Sequence, residues 1–201
     1  MTTTIGIIGS GSIGSAFARR LASAGIEATI ANSRGPASLK DLARAIGPSI
    51  RAGTVTEAAS KDIVLVAVNW SKLSAALAGL PDWNGRIVID ANNPIEAPLF
   101  KPVDLNGRVS SEVFAGLVPG ARVVKAFNHL QPHVLASGPQ ADGGKRVLFY
   151  SGDDNTAKAE VAALIDQLGF FGIDLGALAV GGQLVQFPGG PLPVHNLVKV
   201  A

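Results

Sequence analysis

The chain has 201 residues, 47% of them hydrophobic and 16% charged, with 24 Gly, 12 Pro and no Cys. At this length folding buries roughly 70% of the extended chain's surface, enough for one domain with a full core, and the lack of Cys excludes disulfides, thiolate metal sites and a thiol nucleophile. Lys and Arg exceed Asp and Glu by only 17 to 15, which makes no basic face for nucleic acid. Charge below the roughly 25% of an average chain leaves backbone and bound cofactor as the carriers of chemistry.

Met1-Thr2-Thr3-Thr4 lacks the cationic start of a signal peptide, and no apolar run approaches the roughly 20 residues of a membrane helix; the expectation is a cytoplasmic protein. Residues 5–8 read as the first strand, and Ile13, Phe17, Leu21 and Ala24 follow helical spacing up to Gly25. A second strand at 28–31 precedes a helical pattern through Leu39, Leu42, Ala43 and Ile46, opened by Gly35-Pro36 and closed by Gly47-Pro48. Strands at 63–68, 87–89 and 122–127 alternate with helices at 71–78 and 111–117. A strand at 146–150, a helix at 156–168 capped by Asp153 or Asn155, and a strand at 170–174 complete the pattern. The strands are short, rich in Ile and Val and apolar on both faces, which suits parallel strands covered by helices on each side. The predicted class is α/β, a Rossmann-type doubly wound and mostly parallel sheet. Residues 1–174 form the nucleotide-binding domain. Residues 175–201, rich in Gly and Pro yet apolar, form an irregular C-terminal arm that packs on this domain or on a second subunit.

Gly9-Ser10-Gly11-Ser12-Ile13-Gly14 follows the first strand and opens the first helix, the context in which a GxGxxG pattern binds a dinucleotide. Gly9 permits the tight turn, Gly11 lets the backbone approach a diphosphate, and Gly14 lets the helix pack on the strand. NAD-binding domains usually end the second strand in a carboxylate that holds the ribose hydroxyls. That place holds Asn32, followed by Ser33 and Arg34. Arg34 can pair with a 2′-phosphate, Ser33 can donate a hydrogen bond, and the helical start at Gly35-Pro36 adds N–H donors. The assembly predicts an anion site and NADP(H) over NAD(H). The alternative reading of Arg34 is a solvated loop arginine.

The motifs at 7–14, 31–36, 89–94 (Ile89-Asp90-Ala91-Asn92-Asn93-Pro94), 123–128 (Val123-Val124-Lys125-Ala126-Phe127-Asn128), 151–154 and 168–170 together resemble the NADP oxidoreductases of the coenzyme F420-dependent type. The resemblance runs from about residue 5 to 178. It implies a compact domain, usually dimeric, that moves a hydride between NADP(H) and a flat deazaflavin. It further implies that Ser10, Ser12 and Ile13 line the diphosphate and that Ser33 and Arg34 take the 2′-phosphate. Asn69 would lie by the ribose, the Ala126 backbone would hold the nicotinamide carboxamide, and Asn92, Asn93 and Asn128 would border the nicotinamide and the acceptor. Two positions depart from the family's pattern: Asn69, where many members carry Pro, and Asn128, where members with the deazaflavin activity can carry His. The acceptor is therefore open among F420, a flavin, a quinone and a ferric chelate.

Hydride transfer between stacked rings needs alignment more than acid or base chemistry. Asn128 and His129 are the candidate catalytic residues, His129 as a proton donor or else a surface or cap residue, with His133 and His195 weaker candidates. Trp70 either walls the cofactor or packs, and Lys125 either meets a phosphate or forms a structural ion pair. No metal set and no GxSxG elbow occurs. A β-hydroxyacid or imine reductase meets the objection that such enzymes usually add a large helical domain. An NADPH-binding sensor without turnover is the reading from a different class. The partners expected are a small redox acceptor and a second copy of the chain, with no nucleic acid and no membrane.

Overall fold

The computed structural model describes residues 3–96 and 99–200. Its first half alternates β1 (Ile5–Ile8), α1 (Ser12–Ser23), β2 (Ala28–Ala31), α2 (Lys40–Ile46), β3 (Ile50–Ala52), α3 (Val55–Ala59), β4 (Ile63–Val66), α4 (Leu73–Leu77) and β5 (Ile87–Asp90). A small hairpin, β6 (Ile95–Glu96) and β7 (Lys101–Pro102), precedes α5 (Ser110–Ala115), β8 (Arg122–Ala126) and α6 (Pro132–Ser137). The chain ends with β9 (Gln140–Ala141), β10 (Gly144–Gly152), α7 (Asn155–Gln167), β11 (Phe171–Asp174) and β12 (Val198–Lys199).

Strand order across the sheet is β11-β10-β8-β5-β4-β1-β2-β3, and β3 through β8 are parallel. This is the doubly wound order that reverses between β1 and β4. The strands β1, β2, β4 and β5 are buried along their whole length, because helices cover both faces. One layer packs Phe17 and Leu21 of α1, Leu135 of α6 and Val161 and Ile165 of α7 on alternate strand residues such as Ile7, Leu65 and Ile89. The other packs Ala58, Leu73 and Phe114 on Ile8, Val66 and Val88. Gly6 faces that second layer, and a Cβ there would lie 2.0 Å from the Ala58 carbonyl oxygen; α3 therefore rests directly on the β1 backbone.

β10 runs antiparallel to β8, with Tyr150 opposite Ala126, the last residue of β8. Residues 144–149 consequently project past the C-terminal rim of the parallel strands. There β12 pairs with Lys145 and Arg146, and Val185 and Leu192 of the arm pack on Val147 and Phe149. The arm thus folds on its own domain at the end of the sheet where open α/β folds bind ligands. It is irregular apart from a helical turn at Leu178–Gly182 and β12.

Several elements differ from the expectation in extent. The strand at 63–68 ends at Val66, and the helix at 71–78 begins as a 3-10 turn, Trp70–Lys72, and stops at Leu77. The Gly35-Pro36 start is likewise a 3-10 turn, Pro36–Leu39. The cap of α7 is Asp154, whose side chain accepts from the Ala157 N–H at 2.7 Å, rather than Asp153 or Asn155. Asp153 instead accepts from the Leu178 N–H, at 3.0 Å, and ties the arm to β10.

Candidate active site

The loop from β1 to α1 has the conformation its glycines permit. Gly9 has φ +111, and a Cβ there would lie 2.0 Å from the Ala67 carbonyl oxygen; a Cβ on Gly14 would lie 1.9 Å from the Gly9 carbonyl oxygen. At Gly11 a Cβ would meet nothing within 4 Å, so the backbone there borders open space. Gly11 is also the N-cap of α1, and no side chain caps the helix or places an acidic group in its first turn. The free N–H groups and the positive end of a 12-residue helix therefore face outward at Ser12 and Ile13. Ser10 is held by the loop itself, its carbonyl accepting from the Ser15 hydroxyl at 3.0 Å.

Asn32, just past β2, joins this loop to the next. Its Nδ2 donates to the Ser10 hydroxyl at 3.1 Å, and its Oδ1 accepts from the Arg34 N–H at 2.9 Å and the Ser38 hydroxyl at 3.1 Å. The residue that replaces a carboxylate is thus spent on building the turn. Ser33, Arg34 and Pro36 stand exposed on that turn, and among the described residues no ion pair engages the Arg34 guanidinium. The β1–α1 loop and the Ser33-Arg34 turn are brought side by side by Asn32, an arrangement that would suit a dinucleotide with a 2′-phosphate.

The loops after β4, β5 and β8 form the other half. Asn69 is exposed and Trp70 half-buried, packed against the second hydrophobic layer. Glu96 fixes this segment, accepting from the Ser71 N–H at 2.6 Å and its hydroxyl at 2.9 Å. Asn92 is buried and its amide is committed internally: Oδ1 accepts from the Val68 N–H at 2.9 Å, and Nδ2 donates to Asp90 at 2.8 Å. Asn93 and Asn128 bind each other, Asn93 Nδ2 to the Asn128 carbonyl at 2.9 Å and Asn128 Nδ2 to Asn93 Oδ1 at 3.0 Å. Both also hold the arm: Asn128 Nδ2 donates to the Val185 carbonyl at 2.7 Å, and Asn93 Oδ1 accepts from the Phe187 N–H at 3.1 Å. The buried Oδ1 of Asn128 has no partner among the described residues. Ala126 is fully buried, and Phe127 after it takes φ +63, an uncommon conformation for a large side chain, with its ring edge-on to Phe17 at 4.8 Å.

His129 is neither the surface nor the cap residue weighed for it. It is 1% exposed, its ring lies 4.9 Å from that of Phe149, and among the described residues neither nitrogen has a hydrogen-bond partner. Burial pushes its pKa down to about 4, and the nearby Val147 backbone opposes this only in part. The imidazole is thus neutral at physiological pH and buried beside Phe149. His133 and His195 are exposed. Lys125 takes the structural alternative: it forms a fully buried ion pair with Asp90 at 3.0 Å, and burial lowers its pKa against the opposing pull of Asp90. Trp83 is buried in the second layer.

Sequence reading did not single out Glu96, Ser38, Val185 and Phe187 as parts of this end of the molecule; the contacts of Glu96, Val185 and Phe187 span 25 to 94 residues and leave no local pattern, whereas Ser38 closes a local turn onto Asn32 and Gly35. A surface concavity around Thr3, Ala24, Glu27 and Arg51 lies at the opposite end of the sheet, away from the C-terminal ends of the parallel strands. Among the described residues, no three His, Asp or Glu gather as a metal site, and no helix is long and apolar enough to cross a membrane.

Residues 4–94 match the model of the family described as NADP oxidoreductase coenzyme F420-dependent. A hypothetical protein of Sinorhizobium meliloti with a crystal structure is 49% identical, with a TM-score of 0.93 over 98% of this chain and 96% of that one. A candidate F420-dependent NADP-reductase of Arthrobacter sp. FB24 is 29% identical, with a TM-score of 0.73 over 88% of this chain and 86% of that one. The metalloreductase STEAP3 of Rattus norvegicus is 32% identical over 191 residues, which are 94% of this chain and 37% of STEAP3. The chain spans little more than a third of the length of the curated relatives it matches.

Proposed function

We propose that this chain, whose residues 4–94 match the model of the family described as NADP oxidoreductase coenzyme F420-dependent, is a member of that family and transfers a hydride between NADP(H) and a planar redox acceptor, a deazaflavin or a flavin-like ring. The observation that carries the cofactor half is Asn32. Its amide links the diphosphate loop to the Ser33-Arg34 turn and leaves no carboxylate to repel a 2′-phosphate. The residues fit the dinucleotide: open space over Gly11, free N–H groups at Ser12 and Ile13, and exposed Ser33 and Arg34 beside them.

When bound, NADPH would supply the hydride, and a proton from solvent would complete a reduced deazaflavin or flavin. The chain's own residues bind and orient. Ser10, Gly11, Ser12 and Ile13 would hold the diphosphate, and Ser33 and Arg34 the 2′-phosphate. Asn69 and Trp70 would border the ribose, and the Ala126 backbone the carboxamide. The Asn93–Asn128 pair and the arm segment it holds, Val185 to Phe187, wall the nicotinamide end. Alignment of two rings and exclusion of water are what such a site contributes. A homodimer belongs to the same reading, supported by the exposed apolar side chains of Phe171, Leu197 and Val200.

The similarity to proteins named metalloreductases over 94% of this chain favours a second acceptor class, a ferric chelate reduced directly or through a flavin. Stopped-flow absorbance at 340 nm with deazaflavin, flavin, quinone and ferric-chelate acceptors separates these. Rapid NADPH oxidation by a flat ring supports the proposal, and oxidation by the ferric chelate alone selects the second reading. Tight NADPH binding with no oxidation by any acceptor would leave a sensor and overturn both.

A further inference from the structure

The reaction has no direct use for Lys125 and Asp90, yet they are the most deeply buried charges of the site. They are register partners on β8 and β5, and neither side chain has exposed surface. Such a pair is a poor way to stabilise a sheet, since desolvating both ions offsets their attraction and a packed apolar pair of similar volume is often as stable or more so. What it does, and an apolar pair cannot do, is pass hydrogen bonds onward. Lys125 Nζ also donates to the Asn92 carbonyl. The second oxygen of Asp90 accepts from the Asn92 N–H at 3.0 Å and from its amide at 2.8 Å. Asn92 Oδ1 in turn accepts from the Val68 N–H at 2.9 Å. The relay ends on the backbones of two loops: that after β4, which leads into Asn69 and Trp70, and that after β5, which leads into Asn93.

We propose that the Lys125–Asp90 pair is a positioning device that, through Asn92, holds these two loops in register for the nicotinamide half of the dinucleotide without touching it. The inference rests on the dinucleotide reading above. It assigns the pair to one half of the ligand only, because the loops that would hold the diphosphate and 2′-phosphate, after β1 and β2, are built by Gly9, Gly14 and Asn32 and receive none of these hydrogen bonds.

The test uses the Lys125→Met/Asp90→Leu double variant, which removes both charges at similar volume, and two probes: NADPH, and adenosine 2′,5′-bisphosphate, which has the adenine half and no nicotinamide. The variant is expected to melt at or above the temperature of the unmodified protein and to bind the bisphosphate within about twofold of it. NADPH affinity is expected to fall by about tenfold or more. Asn92→Ala, which cuts the relay beyond an intact pair, gives the same split and serves if the double variant does not fold. A folded variant that keeps its NADPH affinity, or that loses affinity equally for both probes, overturns the proposal; the latter marks a merely structural role. If the unmodified protein binds neither probe, the dinucleotide reading itself fails.

Discussion

Replacing Arg34 with Ala tests the cofactor assignment most directly. The side chain is exposed, and among the described residues it has no ion pair, while the turn that carries it is built by the Arg34 N–H and Asn32. Truncation beyond Cβ therefore leaves the turn and the stability of the fold in place. What is lost is one charge-assisted contact to a phosphate, about 1.5 to 3 kcal/mol for a hydrogen bond to a charged group, which corresponds to about 10- to 150-fold in affinity. Solvent exposure puts the effect at the lower end, about tenfold. NADH has no 2′-phosphate, so its affinity should stay within about twofold. Titrating both dinucleotides by fluorescence, at two ionic strengths, supplies the assay; the NADPH affinity of the unmodified protein should fall with added salt more steeply than that of Arg34→Ala. Equal losses for NADPH and NADH would refute the reasoning, because they would place Arg34 on the adenine or the diphosphate.

Asn32→Asp keeps an acceptor for the Arg34 N–H and the Ser38 hydroxyl and adds a negative charge where a 2′-phosphate would lie; the ratio of NADPH to NADH affinity should fall about tenfold or more, measured in the same titration. Gly11→Ala should fold normally, since its Cβ enters open space, but weaken both dinucleotides. Gly14→Ala drives a Cβ to 1.9 Å from a carbonyl oxygen and should lose about 1 to 3 kcal/mol or more in urea unfolding. His129 binds a proton near pH 4 in the folded chain and near 6.5 when unfolded. Between those values the unfolded state holds more protons, so stability is lost as the pH is lowered from about 6.5 to about 4, by about 3 kcal/mol in all. His129→Phe, stacked on Phe149, should remove that part of the acid sensitivity in melts recorded from pH 7 to 4.

The part of the fold that was legible in the sequence is the part fixed by local demands. Strands buried on both faces must be apolar throughout, and Gly9 and Gly14 sit where any side chain would meet a carbonyl, so β1, α1 and β2 are visible as pattern. The edge strand β3 has three residues and a half-open face, too little for periodicity to show. The five-residue α3 was overlooked although its capping box is present in the sequence, with Thr54 and Glu57 bonded reciprocally. Nothing in the apolar pattern of 146–150 states that β10 runs antiparallel, and that direction places the arm over the site. The site divides in the same way. Ser33 and Arg34 are exposed by a turn that its own residues build, whereas Asn92, Asn93 and Asn128 are committed to partners 24, 35 and 57 residues away. One signal went unused: Asp90 and Lys125 are single opposite charges in otherwise apolar strands, and pairing those strands in register would have brought them together.

The low charge of the chain acquires a mechanism from these contacts. Loops at the rim of a sheet must be held by groups that donate and accept at once, and a carboxylate or an ammonium does only one of these. Asn93 shows the difference. An Asp there could still accept from the Phe187 N–H and the Asn128 amide, but it could not donate to the Asn128 carbonyl, which would be left without that bond in a part-buried position. Asn32 does the same between the first two loops, and Asn92 between the β4 and β5 loops. Charge also fastens at Glu96, which holds Ser71, and at the Lys125–Asp90 pair, which lies beneath Asn92 and away from solvent. The proposed ring-to-ring hydride transfer would be sensitive to misalignment, and a rim cross-linked by asparagines, with the buried Lys125 and Asp90 neutralising each other below, would supply rigidity without placing a net charge beside the rings.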